Sequence, residues 1–243
     1  MKNSMPSEFI GREYGRHPPS LTPSYKSTVL RAPRLPRVSL PTPYAESHGP
    51  VFGASDLTPL DNDLIRNHAT SGDAIGERTI LHGRVLDESG RPVPHTLIEI
   101  WQANAGGRYR HVTDNYVAAL DPNFGGGGRA LTDRDGRYAF RTIKPGAYPY
   151  PNHTNSWRPA HVHFSLFGTG FAQRLVTQMY FEGDPLIPDD DILNTIPDPA
   201  ARQALIARLD RGAARPLDSL AYRFDIVLRG RRQTFFEEDH DHA

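Results

Sequence analysis

From residue 79 onward, alternation of apolar and polar positions at period two dominates the chain. In "RTILHGRVLDESGRPVPHTLIEIWQA" two such runs, Thr79 to Leu86 and Thr96 to Trp101, flank "DESGRPVP". The glycine and prolines of that insert predict a strand–turn–strand unit. The stretch "ALTDRDGRYAFRTIKPG" repeats the device, with Asp135-Gly136 marking a tight turn before a strand from Arg137 to Ile143. Further strands are expected at Ala160 to Phe167, Leu175 to Phe181 and Ala221 to Leu228. Helical spacing is rarer. A short helix is predicted from Asp61 to His68, with Asp61 or Asn62 as its cap. A second is predicted in "PDPAARQALIARLD", with Asp198 as cap, Pro199 in the first turn and Leu205, Ile206 and Leu209 as its apolar stripe. The balance predicts a mainly β fold, an antiparallel β-sandwich core with a long N-terminal arm and a few short helices.

Before this patterned region the code differs. Residues 1–57 are rich in proline, serine and basic residues and show no sustained period. Yet Phe9, Ile10, Tyr14, Leu21, Tyr25, Val29, Leu30, Val38 and Leu40 make the segment more apolar than a disordered tail. It is read as an extended arm that packs on another subunit, and residues 58–243 as one domain, since 243 residues suffice for a single large core. Lysine and arginine total 28 and aspartate and glutamate 28, so nothing global argues for nucleic acid or an anionic membrane as partner. Arg229, Arg231 and Arg232 are read as solvated surface. The N-terminal stretch has no apolar signal-peptide core, and no segment reaches the ~20 apolar residues that span a bilayer, so a cytoplasmic location is expected.

The chain has no cysteine, which removes thiolate metal sites, iron–sulfur clusters and cysteine nucleophiles together. Any metal must be held by nitrogen and oxygen. In "NSWRPAHVHFSLFG" His161 and His163 sit two residues apart in a strand, so both point to one face with Cα atoms ~6.6 Å apart. Such a pair can converge on a metal or can simply be two partly buried histidines bonded to neighbours. Tyr109 in "NAGGRYRH" and Tyr148 in "IKPGAYPYPNH" lie in glycine- and proline-broken loops beside the strands. A phenolate is a hard anionic donor, and losing its proton near neutrality calls for a strongly Lewis-acidic centre such as ferric iron. Each tyrosine could also be a core aromatic with a bonded hydroxyl. His153, His240 and His242 lie in polar stretches and are read as exposed.

Long, ordered stretches carry a further signal: "LTPSYKSTVLRAPR", "GERTILHGRV", "EIWQANAGGRYRH", "LDPNFGGGGRALTDRDGRYAFRTIKPGAYP", "WRPAHVHFSLFG", "QMYFEGDPLIP" and "YRFDIVLRG". From about Ser24 to the region of Phe236 the chain strongly resembles the intradiol ring-cleaving dioxygenases. The resemblance implies one non-haem Fe(III) per chain, with Tyr148 and His163 as an axial pair and Tyr109 and His161 equatorial. It implies Arg158 as a catalytic cation that stabilises the ketonised substrate, Gln178 near the oxygen-binding side, and Tyr148 as general base. Tyr25, Tyr150 and Trp101 fall on pocket positions, Tyr150 standing where tryptophan is found in the family chain considered. The implied reaction is cleavage of protocatechuate by O2 to 3-carboxy-cis,cis-muconate, beside a homologous alpha subunit that lacks the iron ligands. Catechol, hydroxyquinol or another substituted catechol remains an alternative substrate, and a non-catalytic sandwich binding module an alternative role.

Overall fold

A computed structural model describes residues 17–35, 57–167, 175–228 and 233–234. Arg229, Arg231, Arg232, His240 and His242 lie outside the described residues, as do Phe9, Ile10, Tyr14, Val38 and Leu40 of the arm. The strands are β1 Arg78–Leu86, β2 Leu97–Trp101, β3 Gly127–Leu131, β4 Arg137–Ile143, β5 Tyr148–Pro149, β6 Trp157–Arg158, β7 His161–Phe167, β8 Leu175–Phe181, β9 Ile206–Leu209, β10 Leu220–Arg223 and β11 Ile226–Val227. Among the described residues the helices are α1 Ser27–Arg31, α2 Pro199–Gln203 and two single 3₁₀ turns, Ile187–Asp189 and Leu193–Thr195. The architecture is thus mainly β. Among the described residues, no helix is long and apolar enough to cross a membrane.

Two layers face each other. One holds β4, β1, β10 and β9, and the other runs β8, β7, β2, β3, with β9 bridging the two through its pairing with β8. Most neighbours are antiparallel, but β1 runs parallel to β10 and β11, and β8 parallel to β9. The turn after β1 closes a local antiparallel bridge between Leu86 and Pro92, but neither it nor the turn after β3 joins strands that pair with each other. β1 pairs with β4 whereas β2 pairs with β3 and β7, so each connection crosses between layers. Leu81, Val85, Ile98, Ile100, Phe140, Val162, Phe164, Met179, Phe181 and Phe224 fill the space between them. At ~1.5–3 kcal/mol for each large apolar side chain removed from water, this core is the main favourable term for the sandwich.

Three expected elements differ. Residues 61–68 form turns rather than a helix because their backbone is claimed by the sheet. The carbonyls of Asp61 and Asn62 accept the amides of Arg129 and Arg141, and Leu64 donates to the Arg141 carbonyl, each at 2.8 Å. No carbonyl then remains at those positions for an i+4 amide. The second helix does start at the expected cap, with Asp198 Oδ1 accepting the Ala200 amide at 2.9 Å. It ends at Gln203, and Ile206 and Leu209 belong to β9, whose gap between β8 and β10 outweighs their helical spacing. The Ala221–Leu228 run divides into β10 and β11, because the Asp225 side chain takes the Arg84 amide at 3.0 Å in place of a ladder carbonyl.

Every residue of β7 except Phe167 is buried. Its even positions, Val162, Phe164 and Leu166, enter the sandwich core. Its odd positions face outward from the sandwich and are covered by loops.

Candidate metal centre and active site

On that outward face the sheet register sets two rows. Trp101, His163 and Gln178 are opposite one another across β2, β7 and β8, and His161 is opposite Tyr180. Facing side chains in such rows are in contact range. The Trp101 and His163 rings stack with centroids 4.8 Å apart and planes within 4°. His161 Nδ1 lies 2.7 Å from the Pro159 carbonyl, which can only accept. The Nδ1 proton is thereby fixed and the Nε2 lone pair faces outward from the strand.

Two loops bring tyrosines over the histidines. The first, residues 104–121, is folded around Asn104, whose Oδ1 accepts the amides of Gly106 and Arg108 at 2.9 and 3.0 Å while its Nδ2 donates to Ala119 O at 2.9 Å. Asp114 Oδ2 accepts the Tyr109 amide at 2.8 Å. Gly107 has φ +82°, and a Cβ there would lie 2.3 Å from the Ala147 carbonyl oxygen. Only glycine lets this loop close on the segment that carries Tyr148. That segment forms β5, and its two-residue ladder with β6 pairs Tyr148 with Arg158.

The result is a convergence of four donors. Tyr109 Oη lies 3.4 Å from His161 Nε2 and 3.2 Å from His163 Nε2, and Tyr148 Oη lies 3.2 Å from His161 Nε2. Donors about 2.1 Å from one centre sit ~3.0–3.4 Å apart in octahedral or tetrahedral arrangement, so the spacings match the edges of a coordination polyhedron. The set is two imidazoles and two phenols with no thiol, which suits a hard, highly charged ion. Among the described residues no group of three or more histidine, cysteine, aspartate or glutamate side chains gathers anywhere that could hold a metal. Burial first, then the Arg158 charge and His163, hold His161 well below the usual histidine range, so it presents a neutral ring. The histidines are buried and both tyrosines half-buried, so the tyrosines form the open side.

Arg158 lies behind the donors and is 4 % exposed. Its Nη2 donates to Gln178 Oε1 and, at 3.1 Å, to Tyr180 Oη, which itself donates to Gln178 Oε1 at 3.0 Å. Its Nε is 3.1 Å from Asp190 Oδ1, and Asp190 is wholly buried. A guanidinium so placed keeps its charge and its direction. Tyr150 lies beside it, with the Arg158 guanidinium carbon 6.0 Å from the ring centre. The Tyr25 ring meets Tyr150 edge-on at 6.5 Å and 65°.

Every residue expected at the site is therefore in one neighbourhood: Tyr109, Tyr148, His161 and His163 at its centre, Arg158, Gln178 and Trp101 in contact range, Tyr25 and Tyr150 at the rim. Sequence reasoning missed Tyr180, Asn152, Asp190 and Asp191. Nothing in the local sequence singles them out, and only the placement of Asp190 beside a buried arginine does so. His153 is exposed as expected, and its Nε2 lies 3.0 Å from Asp191 Oδ2.

Residues 47–230 match the family model described as dioxygenase, so the chain belongs to that family. Residues 11–42 match the model described as protocatechuate 3,4-dioxygenase beta subunit N terminal. The chain is 52% identical over 232 residues to the protocatechuate 3,4-dioxygenase beta chain of Burkholderia cepacia, covering 96% of this chain and 98% of that one. It is 33% identical to the protocatechuate 3,4-dioxygenase alpha chain of Pseudomonas putida, over 73% of this chain and 84% of that one. Among solved structures, 3-chlorocatechol 1,2-dioxygenase from Rhodococcus opacus 1CP superposes with a TM-score of 0.53 at 25% identity, covering 83% of this chain and 76% of that one.

Proposed function

We propose that the chain is the catalytic beta subunit of an intradiol dioxygenase that cleaves protocatechuate, 3,4-dihydroxybenzoate, with O2 to 3-carboxy-cis,cis-muconate. The observation that carries this reading is the convergence of Tyr109, Tyr148, His161 and His163 with Arg158 buried behind them. Those four residues would hold one non-haem Fe(III). When bound, the ferric ion supplies a Lewis-acidic centre at which a catecholate becomes electron-rich enough to react with O2.

The chain's own residues do the rest. Tyr148 is half-buried on β5 at the open side of the cluster, and its phenolate oxygen takes a catechol proton as general base. The histidines, fixed by the Pro159 carbonyl and the Trp101 stack, hold their nitrogens in place throughout. The Arg158 guanidinium, fixed by Gln178, Tyr180 and Asp190, stabilises the negative charge that develops when the ring ketonises. Trp101, Tyr25 and Tyr150 form apolar walls that orient the flat ring and exclude water.

A homologous alpha subunit is part of the proposal. The resemblance of this chain to both chains of a two-chain dioxygenase supports it, and so do exposed apolar side chains near the site. Leu30 on the arm is 91% exposed, and Val112 and Val117 on the loop that carries Tyr109 are 97% and 91% exposed. Residues 1–57 would serve as the arm of that assembly.

The test is a visible absorption spectrum of the chain purified with its candidate alpha partner, before and after anaerobic addition of protocatechuate, followed by O2 uptake. A phenolate-to-iron band that shifts with protocatechuate, and ring cleavage on admitting O2, is the expected result. A band that responds to catechol or hydroxyquinol alone would move the substrate. A colourless protein that stays unreactive after ferric reconstitution would sink the reading.

A further inference from the structure

Asp190 and Asp191 are adjacent, yet they do different things. Asp190 closes the 3₁₀ turn Ile187–Asp189 with extended backbone, φ −72° and ψ 109°. Successive side chains on extended backbone point to opposite sides. Asp190 turns inward to Arg158, and Asp191 turns to the loop between β5 and β6, residues 150–156.

There its carboxylate collects much of the loop. Asp191 Oδ2 accepts from Tyr150 Oη at 2.8 Å, Asn152 Nδ2 at 2.8 Å and Ser156 Oγ at 3.3 Å, and lies 3.0 Å from His153 Nε2. Burial pushes the Asp191 carboxyl up, but the hydrogen bonds from Tyr150, Asn152 and His153 outweigh this and hold it below the usual range. For the Tyr150 hydroxyl, burial and then its bond to Asp191 push the pKa far above the ordinary phenol value, so it remains a donor.

The network continues into the arm. Asn152 Nδ2 also donates to the Ser24 carbonyl at 2.8 Å, and its Oδ1 accepts the Lys26 amide at 2.8 Å. Those two contacts bracket Tyr25, the residue whose ring meets Tyr150. One carboxylate therefore fixes Tyr150 directly and Tyr25 through Asn152.

We infer that Asp191 is a positioning residue of the substrate pocket, one that locks Tyr25 and Tyr150 into a single aromatic wall and so sets affinity for the flat ring of the substrate. The inference rests on the proposed function. It also assigns Tyr150 a role: its hydroxyl is spent on Asp191, so it meets the substrate with its ring.

The experiment uses the full chain with its partner, as wild type, Asp191→Ala, Asp191→Asn and Asn152→Ala. In anaerobic titrations Asp191→Ala should weaken protocatechuate binding about tenfold, less than the ~100-fold that misplacing a reacting group costs. Its iron content and resting visible band should stay unchanged. Asp191→Asn should recover much of the affinity, because an amide oxygen still accepts from Tyr150 and Asn152. In metal-free protein, hydrogen exchange of the Lys26 amide should speed up in Asp191→Ala and in Asn152→Ala. Unaltered affinity, or iron lost together with affinity, overturns the inference, as does Lys26 protection that survives in both alanine variants. Should Asp191→Ala not fold, Asn152→Ala decides through Lys26 exchange and substrate affinity. Wild-type protein that ignores protocatechuate would instead overturn the proposed function, while the exchange result still decides whether Asp191 ties the arm to the loop.

Discussion

The two faces of β7 share one backbone and nearly equal burial, but they are completed in different ways. The inward face, Val162, Phe164 and Leu166, meets other secondary structure: the Phe164 ring lies 5.9 Å from Tyr138 on β4 and 5.3 Å from Phe224 beside β10. The outward face, His161 and His163, is completed by loops that arrive from residues 104–121 and 144–158 and end on Tyr109 and Tyr148. Apolar packing asks for volume and tolerates substitution of like for like. Polar completion asks for a particular atom in a particular direction, and each such atom needs its own supported loop. The same strand is therefore robust on one side and exacting on the other.

Substituting neighbouring residues on opposite faces should separate the two requirements most sharply. His163→Ala is expected to lower iron affinity by more than the ~10–100-fold that loss of an outer-shell partner costs, with the cooperative melting transition of the metal-free protein retained. Phe164→Ala, one residue on, should cost ~3–5 kcal/mol in denaturant unfolding while the folded fraction still takes up iron. If His163→Ala unfolds the apoprotein, or if Phe164→Ala leaves its stability untouched, the two-face distinction is wrong.

A smaller effect should separate holding the metal from using it. Arg158→Ala removes a cation behind the donors without touching them, so iron content and the resting spectrum should persist while kcat falls ~10²–10³-fold. Turnover at the wild-type rate would remove its electrostatic role. The smallest expected change lies away from both faces, in the turn between β3 and β4. The Asp133 carboxyl is lowered from 3.8, first by its bond from the Arg137 amide, against a desolvation that raises it, and then by the Asp135 amide. Its unfolded value is the higher one, so its contribution is fully present above about pH 4 and lost as pH falls through the lowered folded value. Asp133→Asn should therefore flatten the acid limb of stability against pH below about pH 4. An unchanged acid limb would remove that assignment.

Strands were legible from the chain alone: Arg137–Ile143, with its alternating pattern, and Leu175–Phe181, buried throughout, begin and end where expected. What misled was local signal overruled by distant partners. Asp61 and Asn62 look like helix caps, but β3 and β4 take their carbonyls, and Ile206 and Leu209 have helical spacing, yet β8 pairs with the first and β10 with the second. The separation of β1 from β2 was hidden because a turn signal says where a strand stops and nothing about which layer the next one joins. At the site, His161 and His163 announced a shared face by spacing, whereas nothing local ties Tyr109 or Tyr148 to them across about 50 and 13 residues; only the resemblance to known dioxygenases did so. The three consecutive aspartates at 189–191 carry no pattern that tells them apart, yet Asp190 is wholly buried and Asp191 is the node of a loop.

The two-residue ladder of β5 with β6 has a consequence for how such a chain can change over time. It clamps Tyr148 opposite Arg158 whatever lies between them, so the intervening residues form a closed loop hung from a fixed base. Surface loops of this kind accept insertions, deletions and new side chains cheaply. Residues 150–156, which bear Tyr150 and the tether to the arm, can then be exchanged as a cassette. A lineage could rewrite the loop while the Tyr148–Arg158 pairing at its base stays constant, so change in the one need not disturb the other.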